Sequence, residues 1–265
     1  LKANTTGGSE AFGYQALGAN TTGASNNAFG LLTLSANTTG SYNTAFGQQA
    51  LISNTTGNNN TAVGYQAGYS TTTGNIDAFG YGALYSNTTG LENAAFGGVA
   101  LYANTTGNAN VAVGKFALRY NTTASQNTAV GYQAGYNNTG SYLIAYGYQA
   151  GYSNTDSSGG LFIGYKAGYA NTSGSNNHAI GNSALSTNTT GSSNTVFGSG
   201  ALYSNTTASY NTAVGYQAGY AVTTNGSNAY FGAYAGSNNT GTRNGLEANM
   251  EKFLFHLSVL NLLLL

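Results

Sequence analysis

The sequence predicts an all-β chain wound as a parallel β-solenoid of about fourteen 17-residue rungs, with a short C-terminal helix. Three observations carry this. Glycine returns at a fixed interval: Gly13, Gly30, Gly47, Gly64, Gly80, Gly97, Gly114, Gly131, Gly147, Gly164, Gly181, Gly198, Gly215 and Gly232. That interval is 17 residues, except for two of 16 that end at Gly80 and Gly147. The residue before each glycine is always apolar, from Phe12 and Phe29 through Val63 and Ile163 to Phe231. Finally, each rung mixes glycine and a threonine pair with a short apolar cluster, which is poor material for helix and good material for strands and turns. Constancy of this kind marks stacked units, not a mixed globular core.

Composition excludes several classes. The 265 residues carry six Lys+Arg and six Asp+Glu, so the formal charge is zero. Six scattered cations make no phosphate-neutralising surface, which argues against a nucleic-acid partner. Without cysteine there is neither a disulfide framework nor a thiolate zinc site. The absence of proline suits a ladder in which nearly every N–H is donated to a neighbour.

Within the consensus N-T-A-[FV]-G-Y-Q-A-[LG]-Y-S-N-T-T-G-S-x, the elements follow in order. A first strand is expected at Thr44-Ala45-Phe46-Gly47 and its equivalents. A second is expected at Gln49-Ala50-Leu51-Ile52, with a turn at Asn54-Thr55-Thr56-Gly57. The Phe/Val row is expected inside the roll, with alanine rows facing it because overpacking costs ~1–3 kcal/mol per site. The position after the second alanine is only Leu or Gly, as in Leu51 and Gly68. Leucine is expected to tuck under the Asn-Thr-Thr turn. In glycine rungs a neighbouring tyrosine or a shorter turn is expected to cover the gap.

The string Asn43-Thr44-Ala45-Phe46-Gly47-Gln48-Gln49-Ala50 resembles the N-x-x-A-[IV]-G-x-x-A signature of trimeric autotransporter adhesin heads. Residues 60–67 and 127–134 do the same. The Tyr-Gln-Ala-Leu-Tyr-Ser-Asn-Thr-Thr-Gly consensus is similar to the repeats of phage and bacterial tail-fibre-domain proteins. The resemblance covers roughly residues 9–240. It implies a left-handed β-roll, three chains side by side, and a role in surface attachment. Rungs here are longer than the family's, and the extra residues fall in the Asn-Thr-Thr-Gly turn.

The array is expected over 1–240 and a helical tail over 241–265. In the tail, Leu246, Met250, Phe253, Leu257, Leu260 and Leu264 follow a coiled-coil spacing. The tail reads as a cap or trimer helix. Membrane contact is open only to 253–265, a stretch too short to span a bilayer.

Little of the sequence suggests chemistry. His178 and His256 share no metal-ligand spacing, and Glu10, Asp77, Glu92 and Asp156 lie on separate rungs. No enzyme activity, cofactor or metal is expected. Tyr65, Tyr132, Tyr148, Tyr165 and Tyr216 follow the key glycine, and Tyr69, Tyr136, Tyr152, Tyr169 and Tyr220 lie four residues on. They are candidates for sugar stacking, or for packing between chains. Asn-x-Thr/Ser sequons recur in the turns at Asn4, Asn20, Asn37, Asn54, Asn87, Asn104, Asn121, Asn171, Asn188 and Asn205. They read either as glycan acceptors or as turn residues that also stack into side-chain ladders.

The expected function is a structural or adhesive shaft or head of a trimeric extracellular fibre, on a cell surface or virion. The partners would be other copies of the chain and a carbohydrate or cell-surface receptor. The alternatives are a self-assembling filament subunit and an ice-binding solenoid.

Overall fold

The computed structural model describes residues 7–155 and 158–240. The tail over 241–265, Asn4 and Asp156 lie outside the described residues.

One sheet of fourteen parallel strands runs through the molecule in sequence order. The strands are β1 (Glu10–Phe12), β2 (Asn27–Phe29), β3 (Thr44–Phe46), β4 (Thr61–Val63), β5 (Ile76–Phe79), β6 (Asn93–Phe96), β7 (Val111–Val113), β8 (Thr128–Val130), β9 (Ile144–Tyr146), β10 (Leu161–Ile163), β11 (His178–Ile180), β12 (Thr195–Phe197), β13 (Thr212–Val214) and β14 (Ala229–Phe231). Each residue pairs with its equivalent one rung on, as in Thr44↔Thr61 and Phe29↔Phe46. The 16-residue steps are absorbed without a slip, at Thr61↔Asp77 and Thr128↔Ile144. The chain is therefore a parallel β-solenoid with one short strand per 17-residue turn.

The strands are short because the key glycine ends each of them. From Gly13 to Gly232 these glycines hold φ between 115° and 144°, a region closed to L side chains. Space forbids substitution as well. A Cβ on Gly114 would lie 2.6 Å from the carbonyl oxygen of Gly131.

The expected second strand does not form. Gln49 (φ 61°) and Leu51 (φ 50°) are both left-handed, flanking Ala50, so Gln49–Ile52 is a tight turn. The same alternation recurs at Gln15 and Leu17, and at Ser183 and Leu185. It still pairs with the next rung, because Leu51 N donates to Ala67 O (3.0 Å) and Ser53 N to Tyr69 O (3.3 Å). Rung-to-rung bonding thus continues around the coil outside the sheet.

The Phe/Val row also lies on the other side from the one expected. Along β3 the middle residue, Ala45, is buried, while Phe46 is 51 % exposed. Strand side chains alternate between faces, so Ala45 inside puts Thr44 and Phe46 outside. The core is instead made of Ala45, Ala50, Leu51 and their equivalents. Two columns of buried asparagine close it, one through Asn43 and one through Asn54.

The gap in glycine rungs is filled from inside, not by the tyrosine next to the glycine, and two of the filling residues, Ile76 and Leu143, follow the turns shortened by one residue. A Cβ on Gly68 would stand 2.9 Å from Leu51 Cδ2 and 3.0 Å from Ile76 Cδ1. Leu143 plays Ile76's part beside Gly135, Phe162 serves Gly151 and Gly168, and Tyr230 serves Gly219 and Gly236. Ile76, Leu143, Phe162 and Tyr230 are all buried.

Candidate functional site

Stacking turns every sequence position into a column along the molecule, so its functional features are columns. The sheet's outer face carries the residues just before the key glycines. None of the fourteen is buried: Phe12, Phe29, Phe46, Phe96, Val113, Tyr146, Phe197, Val214 and Phe231 are exposed, and the others are half-buried. Phe12, Phe29 and Phe46 stack at 4.9 and 4.8 Å, and Phe79 stacks on Phe96 at 4.9 Å. Those separations match the strand spacing, so the pairing of backbones sets the pairing of rings. Sequence reasoning missed this outward column because it ranked Phe above Ala for burial. The available signal was strand parity relative to the neighbouring Asn43.

Past the bend come the tyrosines. Tyr65, Tyr132, Tyr148, Tyr165 and Tyr216 are exposed. Tyr69, Tyr136, Tyr152, Tyr169 and Tyr220 are half-buried. The structure gathers them into runs. Tyr132, Tyr148 and Tyr165 stack at 5.4 and 5.3 Å, and Tyr136, Tyr152 and Tyr169 at 5.0 and 5.1 Å. Tyr65 stacks on Tyr81, Tyr69 on Tyr85, Tyr85 on Tyr102, and Tyr220 on Tyr203. Tyr216 meets Tyr234 edge-on at 5.2 Å. A ring stacked on both faces offers a ligand its edge and hydroxyl, not a platform. Sugar stacking is therefore confined to the ends of these runs, and their sides can offer hydrogen bonds.

Burial raises the hydroxyl pKa of Tyr85, Tyr136 and Tyr152 above the usual tyrosine value. Negative charge on neighbouring phenols, such as Tyr102 beside Tyr85 and Tyr169 beside Tyr152, adds to the effect. At Tyr136 a hydrogen bond with Tyr120 also raises it, and Arg119 opposes the shift.

Arg119 occupies the tyrosine column between Tyr102 and Tyr136, a placement the sequence reading did not single out. Its guanidinium carbon lies 5.9 Å from the Tyr102 ring, 6.0 Å from Tyr136, 5.1 Å from Phe116 and 5.3 Å from Tyr120.

The sequon asparagines face inward. Asn20, Asn37, Asn54, Asn87, Asn104, Asn121, Asn171, Asn188 and Asn205 are fully buried. Asn37 Nδ2 donates to Asn20 Oδ1 (2.7 Å) and also to Gly40 O (2.9 Å). The same pair of bonds repeats at Asn104, which donates to Asn87 Oδ1 and Gly107 O. In the folded roll these amides are ladder rungs, out of reach of a glycosylating enzyme. A parallel column runs through Asn26, Asn43 and Asn60, where the Oδ1 of Asn26 and of Asn43 accepts from both the side-chain and backbone N–H of the next asparagine, and that of Asn60 accepts from Ile76 N.

At the corner, the first threonine of most pairs points its hydroxyl along the axis. Thr38 Oγ1 donates to Thr55 O (3.0 Å) and Thr88 Oγ1 to Thr105 O (3.0 Å). The second threonines, such as Thr39, Thr56 and Thr89, are exposed.

Among the described residues no three His, Cys, Asp or Glu side chains gather as a metal site. Among them, too, no helix is long and apolar enough to cross a membrane. Compared with protein-family models, with curated proteins and with solved structures, the chain gives no match.

Proposed function

We propose that this chain is a structural and adhesive segment of an extracellular fibre, in which copies lie side by side through the outer face of the sheet. The number of copies suggested by the family resemblance is three. The observation that carries the reading is the unbroken apolar column from Phe12 to Phe231. At ~4.8 Å per strand it makes a stripe roughly 60 Å long. Soluble monomers rarely expose contiguous apolar patches beyond a few hundred Å². The partner that best meets a side chain on every rung is one with the same axial repeat, which another copy of the chain supplies. The reading assigns the chain no catalytic step.

Sedimentation equilibrium over a wide concentration range tests this. A discrete trimer is expected. Replacing Phe46, Phe96 and Phe197 together by Ser should shift it towards monomer, with the circular dichroism spectrum unchanged. A monomer at every concentration overturns the proposal. Growth without limit on concentration favours the filament reading instead.

The exposed second threonine column supports a weaker reading, ordering of water or ice. Against it, the first column's hydroxyls already donate to backbone carbonyls. Thermal hysteresis in the wild-type protein would favour it.

A further inference from the structure

The chain is neutral as a whole, yet its described charges are segregated. Glu10, Asp77 and Glu92 all precede the key glycine of their rungs. Lys115, Arg119 and Lys166 all follow it, on the tyrosine flank. Among the described residues no ion pair joins the two groups. Lys115 Nζ lies 4.9 Å from the Phe116 ring that Arg119 also approaches. Three rungs further on, Lys166 Nζ lies 5.4 Å from the Tyr165 ring and 5.3 Å from the Tyr169 ring. Between them run the edges of Tyr132 and Tyr148, and Gln149 Nε2 donates to Gln133 Oε1 (2.7 Å). The Arg119 Nε is buried with no hydrogen-bond partner.

We propose that the strip from Lys115 to Lys166 binds an acidic oligosaccharide laid along the solenoid axis. Its cations sit at the two ends, about 14 Å apart by strand spacing, with phenol hydroxyls and amides between them. That pattern fits a hydroxyl-rich chain with an acidic group every few units. It does not fit nucleic acid, whose duplex carries a charge every ~1.7 Å. Nor do the stacked tyrosines leave faces for bases to stack on. Cations held over aromatic rings and unpaired with carboxylates keep their charge for a ligand. The inference names a ligand class for the adhesive part of the proposed function. Its residues lie off the apolar sheet column, so assembly and binding can fail separately.

The probes are a fluorescent hyaluronan oligosaccharide (one carboxylate on every second sugar) and a κ-carrageenan oligosaccharide (one sulfate on every second sugar), each compared with neutral dextran of equal length. Binding is expected for at least one acidic probe and not for dextran, weakening as salt rises. The arm that binds identifies the acid. Lys115→Gln with Lys166→Gln should lower affinity roughly tenfold, with sedimentation unchanged. Equal binding by wild type and double variant overturns the proposal. So does binding of dextran, or failure of both acidic probes at low salt. A single-stranded oligonucleotide that binds as tightly as the acidic probes also overturns it, by showing a site that reads charge alone.

Discussion

Asn54 and Asn205 each hold a buried carbonyl oxygen with no hydrogen-bond partner. In both cases the cause is the following rung. Where the column calls for an asparagine to donate, Thr71 and Val222 stand instead. Thr71 compounds the fault, because its own buried hydroxyl oxygen is also unpartnered. A buried polar group left unpaired costs ~1–3 kcal/mol. Thr71→Asn should join Asn54 to Asn87 and raise stability by about 1 kcal/mol, read as a higher urea midpoint at constant m. An unchanged midpoint would mean that the neighbouring 16-residue step holds the two columns out of line. Conversely, Asn104→Val should cost about 2 kcal/mol or more, because it strands Asn87 Oδ1 and leaves Gly107 O with fewer donors. The sequence makes the breaks at 71 and 222 visible as departures from a repeated letter. It hides their burial, because asparagine in a turn is ordinarily exposed.

The Leu-or-Gly position shows what an element can and cannot disclose in advance. Leu51 and Gly68 share one left-handed conformation, at φ 50° and 61°. Glycine adopts it freely, whereas leucine is strained there and repays the strain by burial. That choice was legible as an alternation, but its backbone cause was not, since leucine is no marker of left-handed φ. For the same reason Gln49–Ile52 looked like a strand. The true strand, Thr44–Phe46, was legible, because the glycine that ends it is invariant along the array. Coupling between elements follows. Gly68→Leu alone should overpack against Leu51 and Ile76 and cost about 1–3 kcal/mol. Ile76→Ala alone should leave a cavity and cost about 2–5 kcal/mol. Combined, they should cost clearly less than the sum, because the new leucine occupies the space that Ile76 vacates. Additive losses in denaturant titrations would show that the two sites do not share one volume.

Over the whole molecule, periodicity and neutrality were legible in the sequence, while the side of the wall each column faces was decided by packing. Beside Ala45, Leu51 and the two asparagine columns there is no room for an inward phenylalanine, and one enters only where glycine replaces the leucine, as Phe162 does against Gly151 and Gly168. The tyrosine runs make the molecule sensitive to alkali. Free tyrosine ionises near 10, and Tyr85, Tyr136 and Tyr152 hold their protons to higher pH. Above that pH the folded state binds more protons than the unfolded one. Stability is therefore intact below about 10 and falls as pH rises further. Phenolate absorbance should show a late-ionising class that disappears in urea, and its absence would place these rings in water. The two asparagine columns also share a direction: each later side chain gives its amide hydrogen to an earlier carbonyl oxygen, as Asn37 does to Asn20 and Asn43 to Asn26. The molecule therefore has a grain. A partly built roll ends in open acceptors that the next 17 residues are equipped to fill, so each finished coil is the template for its successor, in the order in which a ribosome delivers them.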